Sequence, residues 1–213
     1  MTPSLRTTIP LEEFDYGILM SALSSLVNPR QKVTSLLKQG HIIRVKKGLY
    51  VWGEAWRKRP VQMEILANLI YGPSIVSGEW ALSHHGLIPE RVTAVTSTGP
   101  KPPKDFHTPL GLFRYERVPM EYHSLGMRRI KIGNTGFLIA SAERALCDRL
   151  LSIPGLYRPS LSQMGSLLED DLRIEKDALV RLDVNMILAL AQATRSPRLV
   201  QLHACLKQFG DKE

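Results

Sequence analysis

The 213-residue sequence predicts an α+β chain in which a small basic helical unit, closed by a hairpin, precedes a mixed α/β unit with a helical tail. Three observations lead there. Apolar residues recur at helical spacing over most of the first 40 positions, and the pattern then changes to strand-like alternation. Beyond residue 60, short strand-like runs and helical runs are mixed, and after Pro154 only helical patterns remain. The charge, finally, is localised. Residues 28–59 hold nine basic side chains against one acid, Glu54, a net +8 that equals the excess of the whole chain. The rest has 19 basic and 19 acidic residues.

Between Leu11 and Leu26 the residues Phe14, Ile18, Leu19, Ala22, Leu23 and Leu26 fall on one helical face. Pro10 suits the first turn, and Glu12 and Glu13 favour a helix N-terminus. Gly17 is the weak point of that run, where the helix would break. A second helix begins with Asn28 as N-cap and Pro29 as first residue, and stops at Gly40. Val33, Leu36 and Leu37 form its apolar stripe. At ~100° per residue the opposite face carries Gln31, Ser35 and Lys38, flanked by Lys32, Thr34 and Gln39, with no acid among them. The run "HIIRVKKGLYVWG" (41–53) then reads as a hairpin turning at Gly48, anchored by Ile43, Val45, Leu49 and Val51, with Arg44, Lys46 and Lys47 outward. Helix, turn, polar-faced helix and basic hairpin is the order of a winged helix-turn-helix, although only two of the three helices usual before a wing are evident.

"WRKRP" (56–60) marks a seam, giving a DNA-binding domain over 1–58 and a second domain over 59–213. The second begins with a helix ending near Gly72, then a short strand and a helix from about Gly78 to His85 stopped by Gly86. Strands follow at Val92–Ser97, Gly111–Val118, Arg128–Ile132 and Gly136–Ala140. Prolines make the intervening "TGPKPPKDFHTP" an extended loop rather than a paired strand. Ser141 caps "AERALCDRLL", and Ser196, Pro197 and Gly210 frame the last helix.

Most other chemistries are excluded. No apolar run approaches the ~20 residues of a membrane span, and the first residues lack a signal peptide's apolar core. Cys147 and Cys205 fit neither a zinc spacing nor a disulfide framework, which implies a reducing, cytoplasmic setting. His84 and His85 are adjacent and point about 100° apart on a helix, so they do not share a metal ion. "EDD" (169–171) reads as a solvated, salt-bridged face. There is no phosphate-binding Gly-rich loop and no G-x-S-x-G elbow, so no catalytic residue, metal or cofactor is expected and the chain does not read as an enzyme.

Three segments, "LLKQGHIIRVKKGLYVWG" (36–53), "PSIVSGEWALSHHGLIPE" (73–90) and "IASAERALCDRLL" (139–151), together resemble the AbiEi-type antitoxins, transcriptional regulators of bacterial type IV toxin–antitoxin systems. The resemblance covers roughly residues 10–155. It implies a repressor that binds double-stranded DNA at repeats in its own operon's promoter. It also implies a C-terminal domain contributing to antitoxin action and to full repression. The functional partner would be a nucleotidyltransferase-like toxin, opposed without a stable complex. The recognition helix falls on Arg30–Gln39, with Arg30, Gln31, Lys32, Thr34, Ser35 and Lys38 toward DNA. The wing falls on Arg44–Lys47, with Arg44, Lys46 and Lys47 on phosphates, and Arg57, Lys58 and Arg59 extend the phosphate track. A monomer in solution or a dimer on inverted repeats both fit. The alternative is a module whose basic face binds a toxin or structured RNA. Tyr50 and Trp52 would be its stacking rings, and packing inside the hairpin is their simpler role.

Overall fold

The computed structural model describes residues 2–90 and 92–210 and has a mixed α+β architecture. The N-terminal part runs α1 (Thr2–Thr8), β1 (Glu13–Asp15), α2 (Tyr16–Ala22), α3 (Pro29–Lys38), β2 (Ile42–Lys46) and β3 (Leu49–Trp52). The expected long helix over 11–26 is therefore corrected to a strand and a shorter helix. Asp15 decides the break, because its carboxylate accepts from the Ile18 amide (2.8 Å) and caps α2 there. Glu12 and Glu13 are not helix-start acids but buried ones, joined to Arg6 and Arg59. Arg6 docks α1 by donating to the carbonyls of Ile9 (2.6 Å) and Trp56 (3.0 Å) as well as to Glu12.

The three strands form one antiparallel sheet in the order β1-β3-β2. Its central strand β3 is buried throughout, and its alternating side chains enter two different cores. Tyr50 and Trp52 pack with Leu5, Ile9, Phe14, Leu19, Leu23, Val33, Leu36 and Ile42 in the helical N-terminal core. Leu49 and Val51, with Val45, join the larger core of the rest of the chain. The two-residue turn Lys47–Gly48 needs the glycine, whose φ is +86°.

Beyond a 3₁₀ turn at Glu54–Trp56 come α4 (Met63–Ile70), β4 (Ile75–Val76), α5 (Gly78–His84), β5 (Val95–Gly99), β6 (Lys104–Thr108) and β7 (Gly111–Arg117). They are followed by α6 (Met120–His123), β8 (Met127–Ile132), β9 (Thr135–Ala140) and α7 (Ala142–Leu151). The tail comprises α8 (Leu161–Ser166), a π turn over Leu167–Asp171, α9 (Lys176–Val180), α10 (Val184–Thr194) and α11 (Pro197–Gly210). The six-stranded sheet has the order β6-β7-β5-β4-β9-β8 and is mixed, with β5–β7 and β4–β9 parallel. The proline-rich segment corrects the sequence expectation. Its prolines lie at 100, 102, 103 and 109, on either side of Lys104–Thr108, so the stretch between them is free to pair and β6 runs antiparallel to β7 along one edge. Exposed Lys104 and Asp105 on that edge, and Arg128, Arg129 and Lys131 on β8, guard both outer strands against pairing with other chains.

The helices hold the sheet through a buried polar group. Arg144 is fully buried, and its guanidinium donates to Asp148 (2.8 Å) and to the carbonyls of Tyr122 (2.6 Å) and Leu125 (2.7 Å). The same guanidinium lies 3.7 Å from the Tyr122 ring centre. Burial pushes the Cys147 thiol well above its ordinary pKa. His85 bonds the Ala140 carbonyl (2.7 Å) and His84 meets the edge of Phe137, so the adjacent histidines serve packing. Glu169 of the acidic cluster pairs with Lys176 (3.3 Å), and Asp170 and Asp171 are exposed. Among the described residues no helix is long and apolar enough to cross a membrane, and no three metal-ligating side chains converge.

Candidate nucleic-acid interface

Helix α3 buries Val33 and Leu36 and presents Arg30, Gln31, Thr34 and Lys38 to solvent. Lys32 and Ser35 are half-buried at its flanks, so Thr34 takes the more central place expected of Ser35. Pro29 opens the helix as expected, whereas the Asn28 side chain makes no capping bond. Lys38 lies in the last turn, where a cation is favoured by the carbonyl end of the helix. Among the described residues, none of Arg30, Lys32, Lys38, Arg44 or Lys47 is in an ion pair.

The hairpin divides its cations differently from the sequence reading. Register runs Ile43↔Val51 and Arg44↔Tyr50 and then jumps to Lys46↔Leu49, so Val45 is an extra, bulged residue. The slip places Lys46 on the opposite face from Arg44, because side chains alternate and one added residue inverts them. The expectation that Lys46 points outward with Arg44 is corrected. Its ammonium donates to the Ile70 carbonyl at the end of α4 and lies 5.9 Å from the Phe106 ring centre. Arg44 and Lys47 remain exposed at the hairpin.

Two further lysines, not singled out from sequence, stand beside Lys46. Lys101 donates to the Gly72 carbonyl and lies 5.1 Å from the Tyr71 ring centre. Lys104 lies 5.0 Å from that of Phe106. Partial burial, followed by the fields of Lys101 and Lys104, lowers the Lys46 pKa from its ordinary value. The neighbouring acid, Asp105, points to the other face and pairs with Arg114 (3.4 Å). The available signal was the alternation in "KDFHT", which sets Lys104 and Phe106 on one face and Asp105 on the other.

The cluster at 57–59 is mostly engaged within the fold. Arg59 makes a two-pronged ion pair with Glu13 (2.9 and 2.7 Å), and half-buried Arg57 donates to the Trp52 carbonyl (2.9 Å). Lys58 alone of the three has an exposed, unpaired side chain, while its backbone amide donates to Glu12 (3.1 Å). The expected extension of the track is thus reduced to Lys58. Tyr50 and Trp52 are 5% and 0% exposed, which leaves no stacking ring on the hairpin surface. Comparison with protein-family models and with curated proteins returned no match.

Proposed function

We propose that the chain is a double-stranded DNA-binding repressor, with the N-terminal unit acting as a winged helix-turn-helix and the whole chain as the antitoxin of a type IV toxin–antitoxin pair. The observation that carries the reading is the acid-free surface of Arg30, Gln31, Thr34 and Lys38 beside Arg44 and Lys47, all exposed and outside any ion pair. A surface without function normally mixes both charge signs. Three helices now precede the hairpin, the number a winged unit uses, and this supports the reading further. Gln31 and Lys38 suit adenine and guanine edges in a major groove, and Arg44 and Lys47 suit phosphates. Lys46, Lys101 and Lys104 add positive potential beside the wing. Repression, the promoter repeats and the antagonised nucleotidyltransferase-like toxin come from the AbiEi resemblance.

Fluorescence anisotropy on duplexes from the chain's own promoter tests this. Binding weakens with salt, and Arg44→Ala with Lys47→Ala lowers the log–log salt slope by about 1.8, roughly 0.9 per lost phosphate contact. Gln31 and Lys38 substitutions change which sequence binds best, whereas the wing pair weakens all duplexes alike. An unchanged slope would falsify the wing assignment. A structured RNA that outcompetes the promoter duplex would favour an RNA-binding role instead.

A further inference from the structure

Three lysines from separate parts of the chain meet where the hairpin joins the edge of the six-stranded sheet. Lys46 comes from β2, Lys101 from the segment before β6, and Lys104 from β6 itself. They gather over two half-buried rings, Tyr71 and Phe106, whose centres lie 5.5 Å apart. The ammoniums of Lys46 and Lys104 lie 5.9 and 5.0 Å from the Phe106 centre, and that of Lys101 lies 5.1 Å from the Tyr71 centre. The rings are themselves fixed, since both lean on buried Tyr115, with centres 5.3 and 5.6 Å away.

No acid answers these charges. Among the described residues none of the three lysines is in an ion pair, and Asp105 pairs with Arg114 on the other face. The charged groups whose fields shift Lys46 are Lys101 and Lys104. The carbonyl end of α4 explains part of the arrangement, because Lys46 donates to the Ile70 carbonyl and Lys101 to that of Gly72. A helix end carries only about half an elementary negative charge, so most of the three positive charges stay uncompensated. Lys104 lies outside even that explanation: among the described residues its ammonium meets the Phe106 ring and no carbonyl. Ring faces attract ammoniums without neutralising them. Each ammonium has three N–H groups, yet two hydrogen bonds to the protein serve all three lysines.

We infer that this cluster is a binding site for a small phosphate ligand, a pyrophosphate or phosphate-ester group held by Lys46, Lys101 and Lys104 above the ring pair. The charge decides the class. A phosphate monoester carries about −1.5 to −2 at neutral pH, close to the uncompensated excess, whereas a carboxylate brings one. Lysine serves phosphate as a point charge and needs no fixed fork. Lys46 belongs to the hairpin and the other two to the sheet edge, so the bound anion bridges the two sheets. The site uses neither α3 nor duplex DNA.

Sodium pyrophosphate, titrated into the full chain at physiological salt and followed by calorimetry and amide NMR, tests the site, with acetate as the monovalent control. Pyrophosphate binds saturably, with shifts centred on Lys46, Tyr71 and residues 101–106, and acetate does not displace it. Lys101→Gln with Lys104→Gln, both at exposed positions, weakens binding at least about tenfold, the scale of one charged hydrogen bond. Arg129→Gln with Lys131→Gln removes the same charge from exposed positions on β8, the opposite edge of the sheet. Five strand spacings of about 4.8 Å separate the edges, well beyond the screening length of about 8 Å, so this pair leaves the affinity nearly unchanged. Absence of saturable pyrophosphate binding overturns the assignment. An equal loss in both double variants also overturns it, marking diffuse attraction to a chain of net charge +8. So does a Lys101 and Lys104 variant that lowers only the salt slope for duplex DNA, which makes the patch a nucleic-acid backbone contact. The titration contains no DNA, so its result stands whether or not the promoter is bound.

Discussion

Lys46 shows how a single inserted residue changes a side chain's task. Strand alternation alone puts Lys46 beside Arg44, and nothing in "IIRVKKG" announces the bulge at Val45. Glycines, in contrast, were legible. Gly48 sits at the turn and Gly40 past α3, both with positive φ, as their neighbours in sequence require. The lowered pKa of Lys46 gives a pH signature. Unfolded, the amine keeps its proton up to about 10.5, whereas folded it releases it earlier, so the unfolded state binds more protons in between. The destabilisation is complete at neutral pH and is relieved as pH rises through that interval. Urea unfolding of wild type and Lys46→Met at about pH 7 and pH 10 should therefore show wild type gaining stability relative to the variant on the alkaline side. A constant difference would mean that Lys46 is not desolvated.

Among the elements, α3 and the hairpin were readable because their periodicity and punctuation are strong. The same held for the strand pair Met127–Ile132 and Thr135–Ala140, predicted within one residue at each end. α1 and β1 were not, since the apolar spacing from Leu11 to Leu26 fits one continuous helix and only the Asp15 cap interrupts it. β6 was hidden by the prolines that flank it, and the strand expected at Val92–Ser97 begins later, at Val95. The hairpin's exit is the tightest place in the N-terminal fold. A Cβ on Gly53 would lie 1.8 Å from the Gly40 carbonyl oxygen, whereas one on Gly48 meets open space and suffers only from φ +86°. Gly48→Ala should cost about 1–2 kcal/mol. Gly53→Ala, which must displace backbone, should exceed the roughly 0.5–3 kcal/mol of ordinary substitutions. Chemical denaturation orders the two, and the reverse order would contradict the packing of β3 against the end of α3.

For the molecule as a whole, the seam near residue 60 is visible in sequence, but the sharing of the hairpin is not. Alternation identifies which residues of β3 face each way, and it does not show that both faces are covered. Tyr50 and Trp52 belong to one core and Leu49 and Val51 to the other, while Arg59 and the Gln62 amide both bind Glu13 across the seam. Neither core can open without exposing apolar side chains of the same strand, so scanning calorimetry should give one transition and not two. Two resolved transitions would show that β3 does not couple the halves. The candidate surface was legible as charge but not as geometry. Composition placed the cations, whereas only the fold separates exposed Arg44 and Lys47 from engaged Arg57 and Arg59.

The double burial of β3 also bears on how such a surface could evolve. The hairpin is held by residues that never reach solvent, while Arg30, Gln31, Thr34, Lys38, Arg44 and Lys47 hold almost nothing in place. Replacement of any one of them changes folding stability by only about 0.5 kcal/mol, the scale of ordinary surface substitutions. Specificity and foldability are therefore written in separate letters of the same short segment. The exposed face can drift toward a new target sequence one substitution at a time, with the scaffold beneath it unchanged.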